Sequence, residues 1–209
     1  MTTRDELRRI YSERYEKILI PLAINLELHI NERFIDIPHI DRVSVRAKSV
    51  ERFLTKAQKT NVDGKRKYSD PLNQIQDQIG ARIVVFYLSD IQQTNDKVKD
   101  YYSPIEEKSF IPDTANEFGY EGKHYTLFIP MDLLPPDITK NQFPKFFELQ
   151  IKTLFEHAWA EANHDLAFKP QSDLTREQQR KIAFTAAQAW GADLIFNQLL
   201  CEMGDLGEK

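Results

Sequence analysis

The chain has 209 residues, 41% apolar and 29% charged, enough for one domain with a full core and too apolar for a disordered segment. A net charge of −4 and a pI near 5.8 argue against a general nucleic-acid coat of positive charge. No window approaches the roughly eighteen uninterrupted apolar residues of a membrane span, and the opening MTTRDELRRIYSERYEK is too charged for a signal peptide, so a cytosolic protein is expected.

Apolar groups at 7, 10, 11, 15, 18, 19, 22, 26 and 30 predict a helix over residues 5–31, kinked or divided at Pro21. RVSVRAK then alternates, placing Val43, Val45 and Ala47 on one face of a strand and Ser44, Arg46 and Lys48 on the other. SVERFLTKAQK predicts a second helix with Ser49 as N-cap. NVDGKRKYSDP is turn chemistry. Leu72, Ile75 and Ile79 suit a short helix ended by Gly80, and Ala81 to Leu88 a buried strand. Residues 89–118 carry no clear pattern. GYEGKHYTLFIP predicts a third strand ended by Pro130, and FFELQIKT a fourth, with Glu148, Gln150 and Lys152 on its polar face. LFEHAWAEANHDLAF then turns helical. From Thr175, whose capping-box partner is Gln178, a long amphipathic helix runs to the C-terminal region. The single cysteine, Cys201, is expected as a small buried apolar residue.

Charge is unevenly distributed. Between Arg42 and Lys67 nine Lys or Arg stand against two acids, a local +7 at which a polyanion could dock, although a solvated charge run is the plainer reading of Lys59 to Lys67. His157, Glu161 and His164 share a helical stripe, but two turns separate the imidazoles by about 10 Å, too far to share one ion. Hydrogen-bonding support is the better role for them. Carboxylates at strand ends are stronger candidates, because Mg²⁺ needs only one or two of them plus substrate phosphates, and Asp77 with Glu148 is such a pair. Arg46 and Lys48 could hold phosphates from a neighbouring strand, and Tyr120 beside Gly119 could stack on a nucleobase. Taken singly, each of these is better explained as a surface charge or a turn tyrosine.

Their order is more specific. VRAKSVERFLTK, DQIGARIVV, FGYEGKHY and ELQIKTLFEHAWAEANHDLAFK follow one another as in the synthetase domain of RelA/SpoT-type alarmone synthetases, which the chain resembles over residues 40–170. Family versions read R-x-K-S, D-x-x-G-x-R, G-Y-x-S-x-H and E-(I/L)-Q-(I/V)-R-T with A-W-A-E-x-x-H. The resemblance implies an α+β fold, a mixed sheet wrapped by helices and related to nucleotidyltransferases, in one domain over 1–209 with added helices at 5–31 and 175–203. It implies transfer of the β,γ-pyrophosphate of ATP to a ribose 3′-hydroxyl. Asp77 and Glu148 then look like the catalytic Mg²⁺ ligands, with Glu148 also able to assist deprotonation of the attacking hydroxyl. Arg46, Lys48 and Lys56 look like the ATP clamp, Tyr120 like the acceptor-stacking residue, and His124, Gln150 and Asn163 like acceptor or phosphate contacts.

Three departures fall on the acceptor side: Gly122 replaces the family serine, Lys152 replaces an arginine, and DTANEFGY lacks a lysine common before Gly-Tyr. GDP or GTP is the favoured acceptor; the 3′ CCA end of tRNA, as in toxin-type relatives, and adenosine nucleotides are the alternatives. A dead binding module is disfavoured because both carboxylates are present. Control is expected from outside the domain, by expression, a protein antitoxin or homo-oligomerisation.

Overall fold

The computed structural model describes residues 3–114, 117–119, 122–134, 143–167 and 174–207. The N-terminal stripe forms two α-helices, α1 (Arg4–Arg14) and α2 (Ile20–Arg33), joined by a π-helical turn at Tyr15–Leu19. Pro21 accounts for the division. It has no N–H to give to the preceding turn, and the widened turn before it, closed by Ile20 N–H on the Tyr15 carbonyl, absorbs the lost bond.

Strands β1 (Ile40–Ala47), β2 (Ile79–Val85), β3 (Glu106–Phe110), β4 (Gly122–Phe128) and β5 (Phe146–Thr153) form a sheet in the order β1-β2-β5-β4-β3. β2 and β5 run parallel; the other neighbours are antiparallel. This is the mixed sheet with flanking helices that the motif order implies.

Alternation along each strand makes one sheet face apolar. Ile79, Ala81 and Ile83 of β2, Phe147, Leu149 and Ile151 of β5, and Tyr125 and Leu127 of β4 are buried there with Leu22, Leu26 and Ile30 of α2. Val43 and Val45 of β1 pack against this core, as the reading of RVSVRAK requires. Helix α3 (Val50–Ala57) adds Phe53, whose ring stacks on Tyr11 of α1 at 3.6 Å. Ser49 occupies its N-cap position as expected, but its side chain makes no capping bond. The opposite face of the sheet stays polar. Helix α6 (Leu154–Ala167) packs against β2 and β5, and α7 (Arg176–Gly207) packs along α6. The capping box at the start of α7 is formed, with Gln178 N–H on Thr175 Oγ1 at 3.2 Å and Thr175 N–H on Gln178 Oε1 at 2.8 Å.

Three expectations are corrected. The helix expected over 72–79 is a single turn, α4 (Pro71–Gln74), and Gly80 lies inside β2 rather than ending a helix. The patternless stretch 89–118 holds α5 (Leu88–Tyr101) and β3. Cys201 is exposed, because the last turns of α7 present Leu199, Cys201 and Met203 to solvent. Among the described residues no helix is long and apolar enough to cross a membrane.

Candidate active site

Strand register lays out the polar face in rows. Arg46 of β1 pairs with Gly80 of β2, Gly80 with Glu148 of β5, and Glu148 with Thr126 of β4. Two residues along, Ser44, Arg82, Gln150 and His124 form the next row. Side chains two apart on a strand share a face, so Arg46, Arg82, Glu148, Gln150 and His124 all rise into one space. The space above Gly80 is open, since a Cβ there would meet nothing within 4 Å. The result is a cleft of about 730 Å³, roofed by Trp159, Asn163 and His164 of α6 and within the usual size of a small-molecule site. Five Lys or Arg (46, 48, 52, 82 and 152) and three carboxylates (77, 148 and 161) line it.

Glu148 sits at its centre. Burial alone would raise its carboxyl, but hydrogen bonds from His124 and Gln150, with the nearby charge of Lys56, outweigh this and hold it at about 2. His124 Nδ1 lies 3.4 Å from Glu148 Oε1, and the Phe110 ring lies 4.5 Å from the His124 ring. Asp77 approaches from the irregular link between α4 and β2. Arg14 of α1 fastens this link, donating to the Leu72 carbonyl at 2.9 Å and to Gln78 Oε1 at 3.2 Å, while Lys48 N–H bonds the Gln78 carbonyl at 2.8 Å. Asp77 Oδ2 accepts from Lys56 at 2.7 Å and pairs with Lys48 at 3.1 Å, so both expected clamp lysines stand beside a carboxylate. Its other oxygen, Oδ1, is buried with no hydrogen-bond partner. A hard, unengaged oxygen on a cleft that also holds the ionised Glu148 carboxylate is a donor set that fits Mg²⁺. Among the described residues no group of three or more His, Cys, Asp or Glu offers an alternative metal site.

Arg82 is a site residue that sequence reading missed, hidden inside the apolar run ARIVVFY. Its guanidinium pairs with Glu161 at 2.9 Å and lies 3.1 Å from His157 Nδ1. Burial and the Arg82 charge lower the His157 pKa, which keeps that imidazole neutral and able to accept from Arg82. Two members of the α6 stripe therefore orient an arginine, the supporting role expected of them; His164 sits on the cleft wall. Arg46 feels the same crowding, its pKa lowered by burial and then by Arg82. Lys152 is nearly buried at 4% exposure, and burial together with Arg82 brings its ammonium down to about 8. Of the expected acceptor contacts, His124, Gln150 and Asn163 line the cleft, whereas Tyr120 lies outside the described residues.

Comparison with known proteins agrees with this geometry. Residues 45–173 match the region found in RelA/SpoT proteins. A GTP pyrophosphokinase of Bacillus subtilis (strain 168), YjbM, is 26% identical over 149 residues, which cover 68% of this chain and 64% of that protein, so the match spans less than two thirds of the relative. The fold is similar to that of the small alarmone synthetase 1 of B. subtilis bound to its product pppGpp, with a TM-score of 0.68 and 20% identity over 93% of this chain and 96% of that one. It is also similar to a GTP pyrophosphokinase family protein of Streptococcus pneumoniae, with a TM-score of 0.68 and 23% identity over 88% of each chain. The matched region holds Arg46, Lys48, Asp77, Arg82 and Glu148, the residues that the sheet gathers into one cleft, and the chain belongs to the RelA/SpoT synthetase-region family.

Proposed function

We propose that this protein transfers the β,γ-pyrophosphate of ATP to the 3′-hydroxyl of a guanosine di- or triphosphate. The observation that carries the reading is the meeting of Glu148 and Asp77 with Arg46, Lys48, Lys56 and Arg82 around one cleft. Pyrophosphoryl transfer asks little covalent chemistry of a protein; it needs two polyanions held in line while their charge is neutralised. Arg46, Lys48, Lys56 and Arg82 bind the donor phosphates. When Mg²⁺ is bound, held by Asp77 and Glu148, it supplies charge that the side chains alone do not. A carboxylate held at about 2 is a weak proton acceptor, so Glu148 acts mainly through its charge and by accepting a hydrogen bond from the attacking hydroxyl. His124 and Gln150 hold that carboxylate in place, and Tyr120 stacks on the acceptor base.

The relative named a GTP pyrophosphokinase favours guanosine acceptors. A second reading, transfer to the 3′ end of tRNA under the control of an antitoxin, draws on the exposed cations at Lys59 to Lys67. Purified protein incubated with γ-labelled ATP and Mg²⁺ in the presence of GDP, GTP, ATP alone or deacylated tRNA separates these outcomes. Label in GDP or GTP supports the proposal; label only in tRNA replaces the acceptor; label in none of them rejects the transferase reading.

A further inference from the structure

Helix α1 turns one row of side chains toward the Lys48–Asp77 side of the cleft, although it lies outside the residues that match the family. Arg8, Tyr11 and Arg14 are spaced by three, which keeps them on one stripe of the helix. Arg8 pairs through both terminal guanidinium nitrogens with the Glu51 carboxylate in the first turn of α3. Tyr11 donates its hydroxyl proton to the Lys48 carbonyl at 2.8 Å, and Arg14 reaches the Gln78 side chain at 3.2 Å.

These bonds close a circuit. Lys48 lies between β1 and α3 and belongs to neither. Its N–H bonds the Gln78 carbonyl at 2.8 Å and its own carbonyl accepts from Tyr11, so one residue is held from two sides. From Gln78 the path returns through Arg14 to α1, about one turn from Tyr11. Asp77 adjoins Gln78, and its Oδ2 lies 3.1 Å from Lys48 Nζ and 2.7 Å from Lys56 Nζ. The circuit therefore sets the spacing between Lys48 and Asp77 across two irregular links, whose backbone groups must find partners outside the sheet and helix ladders.

The core needs the Tyr11 ring and not its hydroxyl. Tyr11 is fully buried, and its ring stacks on Phe53 with the planes 3° apart, a contact that a phenylalanine would make as well. Burying a hydroxyl costs free energy unless it is hydrogen-bonded, and the partner that satisfies this one is the backbone of a cleft lysine.

We infer that Tyr11 is a positioning residue for the phosphate donor: its hydroxyl holds the Lys48 backbone so that Lys48 and Asp77 keep the spacing that receives the phosphates of ATP. Tyr11 acts through Lys48 and does not line the cleft itself. The inference rests on the proposed use of ATP as donor and is indifferent to the identity of the acceptor.

Calorimetric titration with ATP in the presence of Mg²⁺, and separately with GDP, reads the effect without turnover. The proteins are the full chain, Tyr11→Phe, and Ile30→Val, a core truncation in α2 that lies off the cleft and controls for lost stability, which thermal melting follows. Tyr11→Phe should raise the ATP Kd by about three- to tenfold, the equivalent of one hydrogen bond, while its GDP Kd stays within about twofold of the native value. Ile30→Val should melt earlier and bind ATP as the native chain does. An unchanged ATP Kd in Tyr11→Phe, an equal rise in Ile30→Val, or weakening of ATP and GDP by the same factor would overturn the inference and leave the proposed reaction standing. No ATP binding by the native chain would overturn that reaction and the inference together.

Discussion

Glu148 and Lys152 are four residues apart on one strand, and both pKa values are lowered, which fixes the charge of the carboxylate and loosens that of the ammonium. Glu148 is held ionised at about 2 despite its burial, so its charge is present throughout the neutral range. Glu148→Gln keeps the shape and removes the charge; transfer should fall by at least about 10³-fold while ATP affinity changes little, as measured by single-turnover kinetics and calorimetry. Lys152 is held near 8 by burial and Arg82, so its charge leaves the cleft as pH rises through about 8. The sign for stability is the reverse of that for an ion pair: the unfolded chain retains this proton up to about 10.4, so the Lys152 contribution to stability increases with pH between about 8 and 10.4. For activity, an alkaline limb of kcat/KM near pH 8 is expected, and Lys152→Arg, which does not deprotonate in this range, should move it upward. An unmoved limb would assign it to another group. Tyr120→Ala should raise KM for the acceptor more than for ATP; equal loss of both would mark that tyrosine as structural.

At the scale of elements, the site depends on how a non-regular link is fastened. Arg14, buried under the Asp77 link, satisfies the Leu72 carbonyl and the Gln78 side chain at once. Arg14→Met leaves Gln78 Oε1 unpaired, while the Leu72 carbonyl keeps its bond from Gln78 Nε2 at 2.8 Å, and should cost about 1–3 kcal/mol in urea unfolding, with a larger loss of transfer than of global stability because Asp77 is set loose. Elements whose pattern is local were legible in the sequence: β1 and β5 through alternation, α3 through its stripe, α7 through Thr175 and Gln178. Helix α5 was not, because its buried residues include Asp90, Thr94 and Asn95, polar groups that hydrogen bonds reconcile with burial and that spoil the apolar period. Strand β3, Glu106–Phe110, is exposed along its whole length at the sheet edge, so burial leaves no signature there. Arg82 was hidden for a related reason: a run read as a buried strand is apolar on one face and holds a cleft cation on the other.

Over the whole molecule, the charge distribution divides the labour. The whole chain carries a net −4, yet along the cleft five cations stand against three carboxylates, which favours an anionic ligand there. Motif order in the sequence identified the cleft because the sheet brings β1, β2, β4 and β5 side by side, an adjacency that no single motif contains. Chelation of divalent ions should abolish transfer, with Mg²⁺ restoring it, if Asp77 and Glu148 hold the metal; activity that persists in chelator would remove that role from both.

Under the proposed reaction Glu148 and Asp77 act together on a phosphate donor held by the facing cations. The most direct measurement follows label from γ-labelled ATP into GDP or GTP for the native chain, Glu148→Gln and Asp77→Asn side by side. Labelled guanosine product is expected from the native protein, with at least about a 10³-fold loss in either variant. Turnover retained by either variant would contradict it.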